Sequence, residues 1–156
     1  MIRPLSGSDR SPVMDLLRAT HNFCRRELDI AAELMDAVVD NPGQEDYYAF
    51  VAEQAEQVRG LLILGPVPAT AGTWDMYWIA VHPDFHGTGI AQSLERWAES
   101  MVAEHGGYWL LAETSSQPGY QRTRAFYAKQ GYAVLARIPD YYKPADDLIV
   151  FGKRLF

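Results

Sequence analysis

The spacing of apolar and polar positions changes period along the chain, and each change marks an element. After a short β-rich start at Ile2–Pro4, Val13, Leu16 and Leu17 line one side of a helix, with Ser11 as its N-cap and Pro12 as its first residue. Leu28, Ala31, Leu34, Met35 and Val38 carry the same spacing over residues 27–39, and Asn41-Pro42-Gly43 ends that helix. The β-rich runs at 47–53 and 58–64 predict a hairpin, and 65–72 form a Pro, Gly and Ala loop, the one linker-like stretch. Strand Thr73–Val81 follows, after which Ile90, Ala91, Leu94, Trp97, Ala98 and Met101 return to helical spacing as far as about residue 104. A strand at 108–114, a helix at 121–130 and strands at 132–138 and 148–155 complete the chain. The order β-αα-βββ-α-β-α-ββ predicts the α/β class, a mixed sheet with helices on both faces.

Between the third β-run of the middle group and its helix lies Val81-His82-Pro83-Asp84-Phe85-His86-Gly87-Thr88-Gly89-Ile90-Ala91. The first N–H groups of a helix lack intrahelical partners, and the helix dipole favours negative charge at that end. Glycines at 87 and 89 let the backbone approach phosphate oxygens with no Cβ in the way. The pattern predicts a pyrophosphate cradle. A dinucleotide fingerprint would need Gly or Ala where Gln92 stands, and a P-loop would need Gly-Lys-Ser/Thr, which is absent.

Two segments resemble the GNAT superfamily of acyl-CoA-dependent N-acyltransferases. The glycine turn is similar to that family's pyrophosphate loop, Gln/Arg-x-x-Gly-x-Gly/Ala, and Thr123-Arg124-Ala125-Phe126-Tyr127-Ala128-Lys129-Gln130-Gly131-Tyr132 is similar to its late helix ending in F-Y-x-x-x-G-F/Y. The likeness runs from Ile2-Arg3-Pro4 to Lys153-Arg154-Leu155, so it implies one GNAT domain over residues 1–156. It implies a GNAT fold, a mixed central sheet whose middle strands, here Thr73–Val81 and 108–114, splay apart, with the acyl-CoA arm lying along backbone groups of Ile79, Ala80 and Val81. Acetyl-CoA is the implied cosubstrate, held by His86, Gly87, Thr88, Gly89, Ile90 and Ala91, with no metal. Asp84 stands where the family usually has Gln or Arg, His86 where Arg is frequent, and Tyr120 where an Asn often reaches the pantetheine. Phosphate binding then falls mainly to backbone amides and the helix end.

Composition narrows the partners. A chain of 156 residues, 48% hydrophobic and 22% charged, suits one globular domain with a sizeable core. A net charge of −6 argues against a nucleic-acid surface and favours neutral or cationic small substrates. A single cysteine, Cys24, excludes an internal disulfide, and with no signal-like N-terminus the expectation is a cytoplasmic protein. No apolar run is long enough to cross a bilayer. Cys24 has no nucleophile motif around it and reads as a buried or incidental thiol. His21, His82, His86 and His105 lack metal-ligand spacing. Relatives in the family often dimerise, which makes a homodimer an expectation that no residue here carries.

Acyl transfer to an amine needs a deprotonated nucleophile, a polarised thioester carbonyl and a proton for the departing thiolate. An amine of pKa about 10.4 is neutral only about once in 10^3 molecules at pH 7, a deficit of roughly 4–5 kcal/mol that a base or a water chain must offset. Glu113, at the end of its strand, and Asp75, early in the other, are the carboxylates best placed to look into the slot; Glu113 is the first choice, and a water chain is the alternative. N–H groups of residues 79–81 are candidates to polarise the carbonyl. By the resemblance, Tyr127 protonates the CoA sulfur. Between the last two strands, residues 139–147 read as a loop whose Asp140, Tyr141, Tyr142, Asp146 and Asp147, with Asp75 and Tyr77, would hold a cationic amine. A plain turn of Pro and Asp explains that segment equally well. Trp74, Tyr77 and Trp78 either line the pocket or fill the core, with at least one tryptophan in the core.

The function so read is an N-acetyltransferase that moves an acetyl group from acetyl-CoA to a primary amine on a small molecule, by direct attack in a ternary complex. A non-catalytic acyl-CoA sensor would keep the cradle but have no use for Tyr127. An enzyme acting on a protein N-terminus or lysine would need an open groove.

Overall fold

The computed structural model describes residues 1–156. Strands β1 (Ile2–Pro4), β2 (Tyr48–Gln54), β3 (Gln57–Pro66), β4 (Thr73–Val81), β5 (Trp109–Ser115), β6 (Ala133–Lys143) and β7 (Asp146–Arg154) form one sheet in the order β1-β2-β3-β4-β5-β7-β6. Only the β4–β5 pair is parallel. Helices α1 (Arg10–Ala19) and α2 (Arg25–Asp40) cover one face, and α3 (Ile90–Glu104) and α4 (Gln121–Lys129) the other.

β3 shows how the pattern builds the sandwich. Leu61-Leu62-Ile63-Leu64 is a continuous apolar run because the strand is buried on both sides. Leu61 and Ile63 pack with Val13, Leu17, Ala31 and Met35, whereas Leu62 and Leu64 pack with Leu94, Ala98, Val102 and Tyr127. Each such side chain contributes about 1.5–3 kcal/mol on full burial.

The middle of the sheet opens. β4 and β5 pair only at Thr73↔Trp109, Trp74↔Leu110 and Asp75↔Leu111, and beyond Asp75 they part. Against β3, Leu64 faces Met76 and Ile63 faces Trp78, so Tyr77 is an extra residue on β4. A bulge of this kind bends its strand and adds twist. It also reverses the facing of the side chains: Trp74 and Met76 join the α3–α4 core before it, and Ile79 and Val81 join that core after it. One edge of β4 from Met76 onward therefore has no partner strand.

Several element boundaries differ from those predicted. α1 starts at Arg10, so Ser11 and Pro12 lie inside its first turn and Asp9 precedes it. The Asp9 carboxylate is occupied instead by the Ser6 N–H at 2.8 Å and the Arg3 guanidinium at 2.7 Å. β3 runs on through Gly65 and Pro66 into the predicted loop, pairing with Asp75 and Trp74. Gly65 is required there, because a Cβ would lie 2.1 Å from the Asp46 carbonyl oxygen.

Residues 139–147 are not a loop. β6 continues to Lys143 and β7 begins at Asp146, leaving Pro144 and Ala145 at the turn. The Asp140 carboxylate accepts the Ala145 N–H at 2.7 Å, and the Asp147 carboxylate accepts the Asp140 N–H at 3.0 Å and Arg137 Nε at 2.7 Å. Pro139 is tolerated because β6 is the outermost strand.

Candidate active site

The turn between β4 and α3 is shaped for an anion. His82 opens a short turn at Pro83–Phe85, and Gly87 and Gly89 follow with φ of 77° and 89°, left-handed values that favour glycine. An added Cβ at either glycine would meet nothing within 4 Å, so both positions border open space. The first helical N–H to find an intrahelical acceptor is that of Ser93, on Gly89 O at 3.0 Å. The N–H groups of Gly89, Ile90, Ala91 and Gln92 have no acceptor in the chain. Free amides, a helix N-terminus and no Cβ in the cradle fit a diphosphate.

Thr88 serves the turn itself, its hydroxyl donating to Phe85 O at 2.6 Å. The His86 ring spans from Val81 O to Arg122, at 3.0 Å from each. The Val81 carbonyl, one of the groups expected to pair with the acyl-CoA arm, is thus already engaged. Ile79 and Ala80 lie on the free stretch of β4.

Tyr127 rises from α4 into the α3–α4 core with only 4% of its surface exposed, packed on Phe126, Tyr132 and Phe151 at centroid distances of 5.7, 5.3 and 5.4 Å. Burial alone pushes its phenol well above the ordinary tyrosine range, so it keeps its proton at neutral pH. Thr114 is buried on β5, and its hydroxyl has no hydrogen-bond partner. It lies three positions past Leu111, the last β5 residue paired with β4, beside the opening.

The opposite face of the parting strands is acidic. Asp75 is level with Leu111, and Glu113 follows two residues later on the same face. Burial, reinforced by the Glu113 charge, raises the Asp75 carboxyl to about 6. Tyr77, on the bulge, meets Tyr47 edge-on at 5.7 Å, and its phenol is raised by burial and then by Asp75. Burial and the Glu113 charge push the Tyr142 phenol up to about 12, and Tyr141 stacks edge-on with it at 5.0 Å. Asp75, Glu113, Tyr77 and Tyr142 are therefore brought together.

The three aspartates expected as acceptor ligands are not free. Asp146 is buried and accepts the Ser115 hydroxyl, while Asp140 and Asp147 hold the β6–β7 hairpin. Tyr120 sits just before α4 and donates to Asn22 O at 2.8 Å, tying α4 to the α1–α2 connection. Trp74 fills the core, whereas Trp78 is half-buried against Phe23 at 4.7 Å. Cys24 is exposed just before α2.

Sequence reasoning passed over Thr114, Arg122 and Tyr47. Period-two facing along β5 places Thr114 inward with Leu110 and Ala112. Nothing in the spacing of Arg122 marks it.

Comparison with known proteins places the fold in a family. Residues 45–134 match the acetyltransferase (GNAT) domain. A protein assigned to the GNAT family of acetyltransferases from Desulfovibrio desulfuricans has 31% sequence identity and a TM-score of 0.96, covering 100% of this chain and 99% of its own. An aminoglycoside 6′-N-acetyltransferase solved with coenzyme A has 18% identity and a TM-score of 0.80, covering 100% and 97%. The ribosomal-protein-S18-alanine N-acetyltransferase of Escherichia coli has 18% identity and a TM-score of 0.80, covering 99% and 93%; these two share the fold. None of the curated proteins matches the chain. The chain belongs to the GNAT family of acyl-CoA-dependent acetyltransferases. No helix is long and apolar enough to cross a membrane.

Proposed function

We propose that residues 1–156 act as one N-acetyltransferase domain that transfers an acetyl group from acetyl-CoA to a primary amine on a small cationic molecule, directly and within a ternary complex. The observation that carries this reading is the gap between β4 and β5, which has an anion cradle at one end and paired carboxylates beside it. When bound, acetyl-CoA supplies the acyl group already activated as a thioester. The amides of Gly89, Ile90, Ala91 and Gln92 and the α3 dipole hold its diphosphate, and the free edge of β4 at Ile79 and Ala80 offers backbone groups to its arm.

Asp75 and Glu113 are the proton acceptors for the amine and share their charge as a pair. The raised carboxyl of Asp75 gives the pair a proton affinity near that wanted of a base at neutral pH, while its ionised form attracts a cation. Tyr77 and Tyr142 flank the acids with ring faces for the same cation. Tyr127 holds a proton that its own chain does not use, the requirement for a group that delivers one to a departing thiolate.

A panel of amines assayed for CoA release with acetyl-CoA tests the reading. Cationic small amines are expected to support turnover with retention of the acetyl group on nitrogen. Turnover only with peptides bearing a free N-terminus would overturn the substrate class. Acetyl-CoA binding without turnover on any amine, together with a Tyr127→Phe variant that binds identically, would make the chain a sensor.

A further inference from the structure

The glycine turn carries no cation of its own. Its charged residue is Asp84, and the first turn of α3 has neither acid nor base to spare. A cation is nevertheless fastened beside it from another element. His86, in the turn, lies 3.0 Å through Nε2 from Val81 O and 3.0 Å through Nδ1 from Arg122 Nη1. A carbonyl oxygen only accepts, so Nε2 carries the ring proton, and Nδ1 presents a lone pair that receives an N–H of Arg122. His86 is thereby a neutral clamp between the end of β4 and the second residue of α4.

The guanidinium it holds is unbalanced. The ion pairs of the chain involve Arg3, Arg10, Arg18, His82, Arg137 and Lys153, and Arg122 meets no carboxylate. One N–H goes to His86, the remaining donors of its planar fork have no partner in the chain, and His86 itself lies one residue before Gly87 in the turn that leads to the unpaired amides of α3. A neutral partner positions an arginine without cancelling its charge, which suits a site waiting for an anion.

We propose that Arg122 is a phosphate ligand for the cosubstrate, oriented by His86, and that it supplies from α4 the positive charge absent from the turn. The inference rests on the reading of the turn as the CoA cradle. The ligand chemistry is a phosphate group, carried by CoA both as the diphosphate and as the 3′-phosphate monoester. His86 is a positioning residue, and Arg122 makes the contact.

Calorimetric titration of the intact chain with CoA and with 3′-dephospho-CoA tests this without relying on turnover. Arg122→Gln is expected to weaken CoA binding about tenfold and to flatten its salt dependence, with Arg122→Lys recovering part of the loss. His86→Ala should weaken it less than Arg122→Gln, and the two together no more than Arg122→Gln alone. Arg18→Gln makes the same change of net charge on the α1 face and should leave affinity within twofold. A loss that persists with 3′-dephospho-CoA assigns the contact to the diphosphate, and one that disappears assigns it to the 3′-phosphate. Wild-type affinity in Arg122→Gln, with binding abolished in Gly89→Val, would overturn the inference and leave the cradle standing. If the unsubstituted chain binds no CoA, the cradle reading fails and the inference fails with it.

Discussion

At the scale of single residues, the proposed function divides its proton chemistry between two faces of one sheet. Tyr127 lies among aromatic rings on the α3–α4 side, and Asp75 and Glu113 lie on the α1–α2 side. Tyr127→Phe keeps the ring and its packing and removes only the hydroxyl, so kcat is expected to fall roughly 10^2-fold while CoA affinity stays within a few-fold. A variant with full kcat would move the proton donor to another group. The acids make a separate prediction. Because Asp75 must lose its proton to serve, kcat/KM for a cationic amine should rise with pH through about 6. Asp75→Asn should remove that rise. Glu113→Gln removes the neighbouring negative charge that helps raise Asp75, so the rise should move to lower pH. Stability carries the opposite sign. Asp75 binds its proton more tightly when folded, so its contribution is complete below its ordinary value of 3.8 and is lost as pH rises through about 6. Thermal unfolding of Asp75→Asn should lose that part of the pH dependence, and an unchanged pair of profiles would show that Asp75 does not titrate there.

At the scale of elements, periodicity was sufficient where one element faces one layer. α1 to α4 and the order of all seven strands follow from apolar spacing, as does the glycine turn from its position between strand and helix. Two features were hidden for physical reasons. The bulge at Tyr77 shows only as a change of phase, from Trp74 and Met76 facing inward to Ile79 and Val81 facing inward, within a run whose residues are all β-formers. The β6–β7 hairpin was masked because Pro139, Asp140, Pro144 and the two later aspartates have the chemistry of a loop, and it is a bond from Arg137 across the hairpin and one from Ser115, 31 residues away, that commit them to strands. In the same way the Tyr120 hydroxyl is claimed by Asn22 across 98 residues, a partner that no spacing announces. The hairpin therefore makes its own prediction. Asp146→Ala strands the buried Ser115 hydroxyl and should lower unfolding stability by about 1–3 kcal/mol, while acceptor KM changes less than threefold. A large rise in KM with unaltered stability would return Asp146 to the acceptor pocket.

At the scale of the whole molecule, the sheet consists of two halves, β1 to β4 and β5 to β7, joined in the middle by three residue pairs and opened beyond them. The open edge of β4 leaves backbone groups without strand partners between Asp75 at the closed end of the seam and the glycine turn beyond Val81, so in the proposed reading this seam is where a ligand adds what the chain lacks. A molecule that binds only the folded form stabilises it by mass action, by about 2.7 kcal/mol at a hundred times its Kd. For a chain of this length that corresponds to a Tm rise of roughly 5–10 °C. Acetyl-CoA is expected to produce this rise and, in hydrogen exchange, to slow the amides of residues 76–81 and 89–92 more than those of β2, whose both edges are already paired. An acceptor amine added alone should protect neither segment, because the carboxylates proposed to hold it close no seam. A Tm rise accompanied by protection confined to β6 and β7 would place the cosubstrate elsewhere, since neither strand borders the gap between β4 and β5.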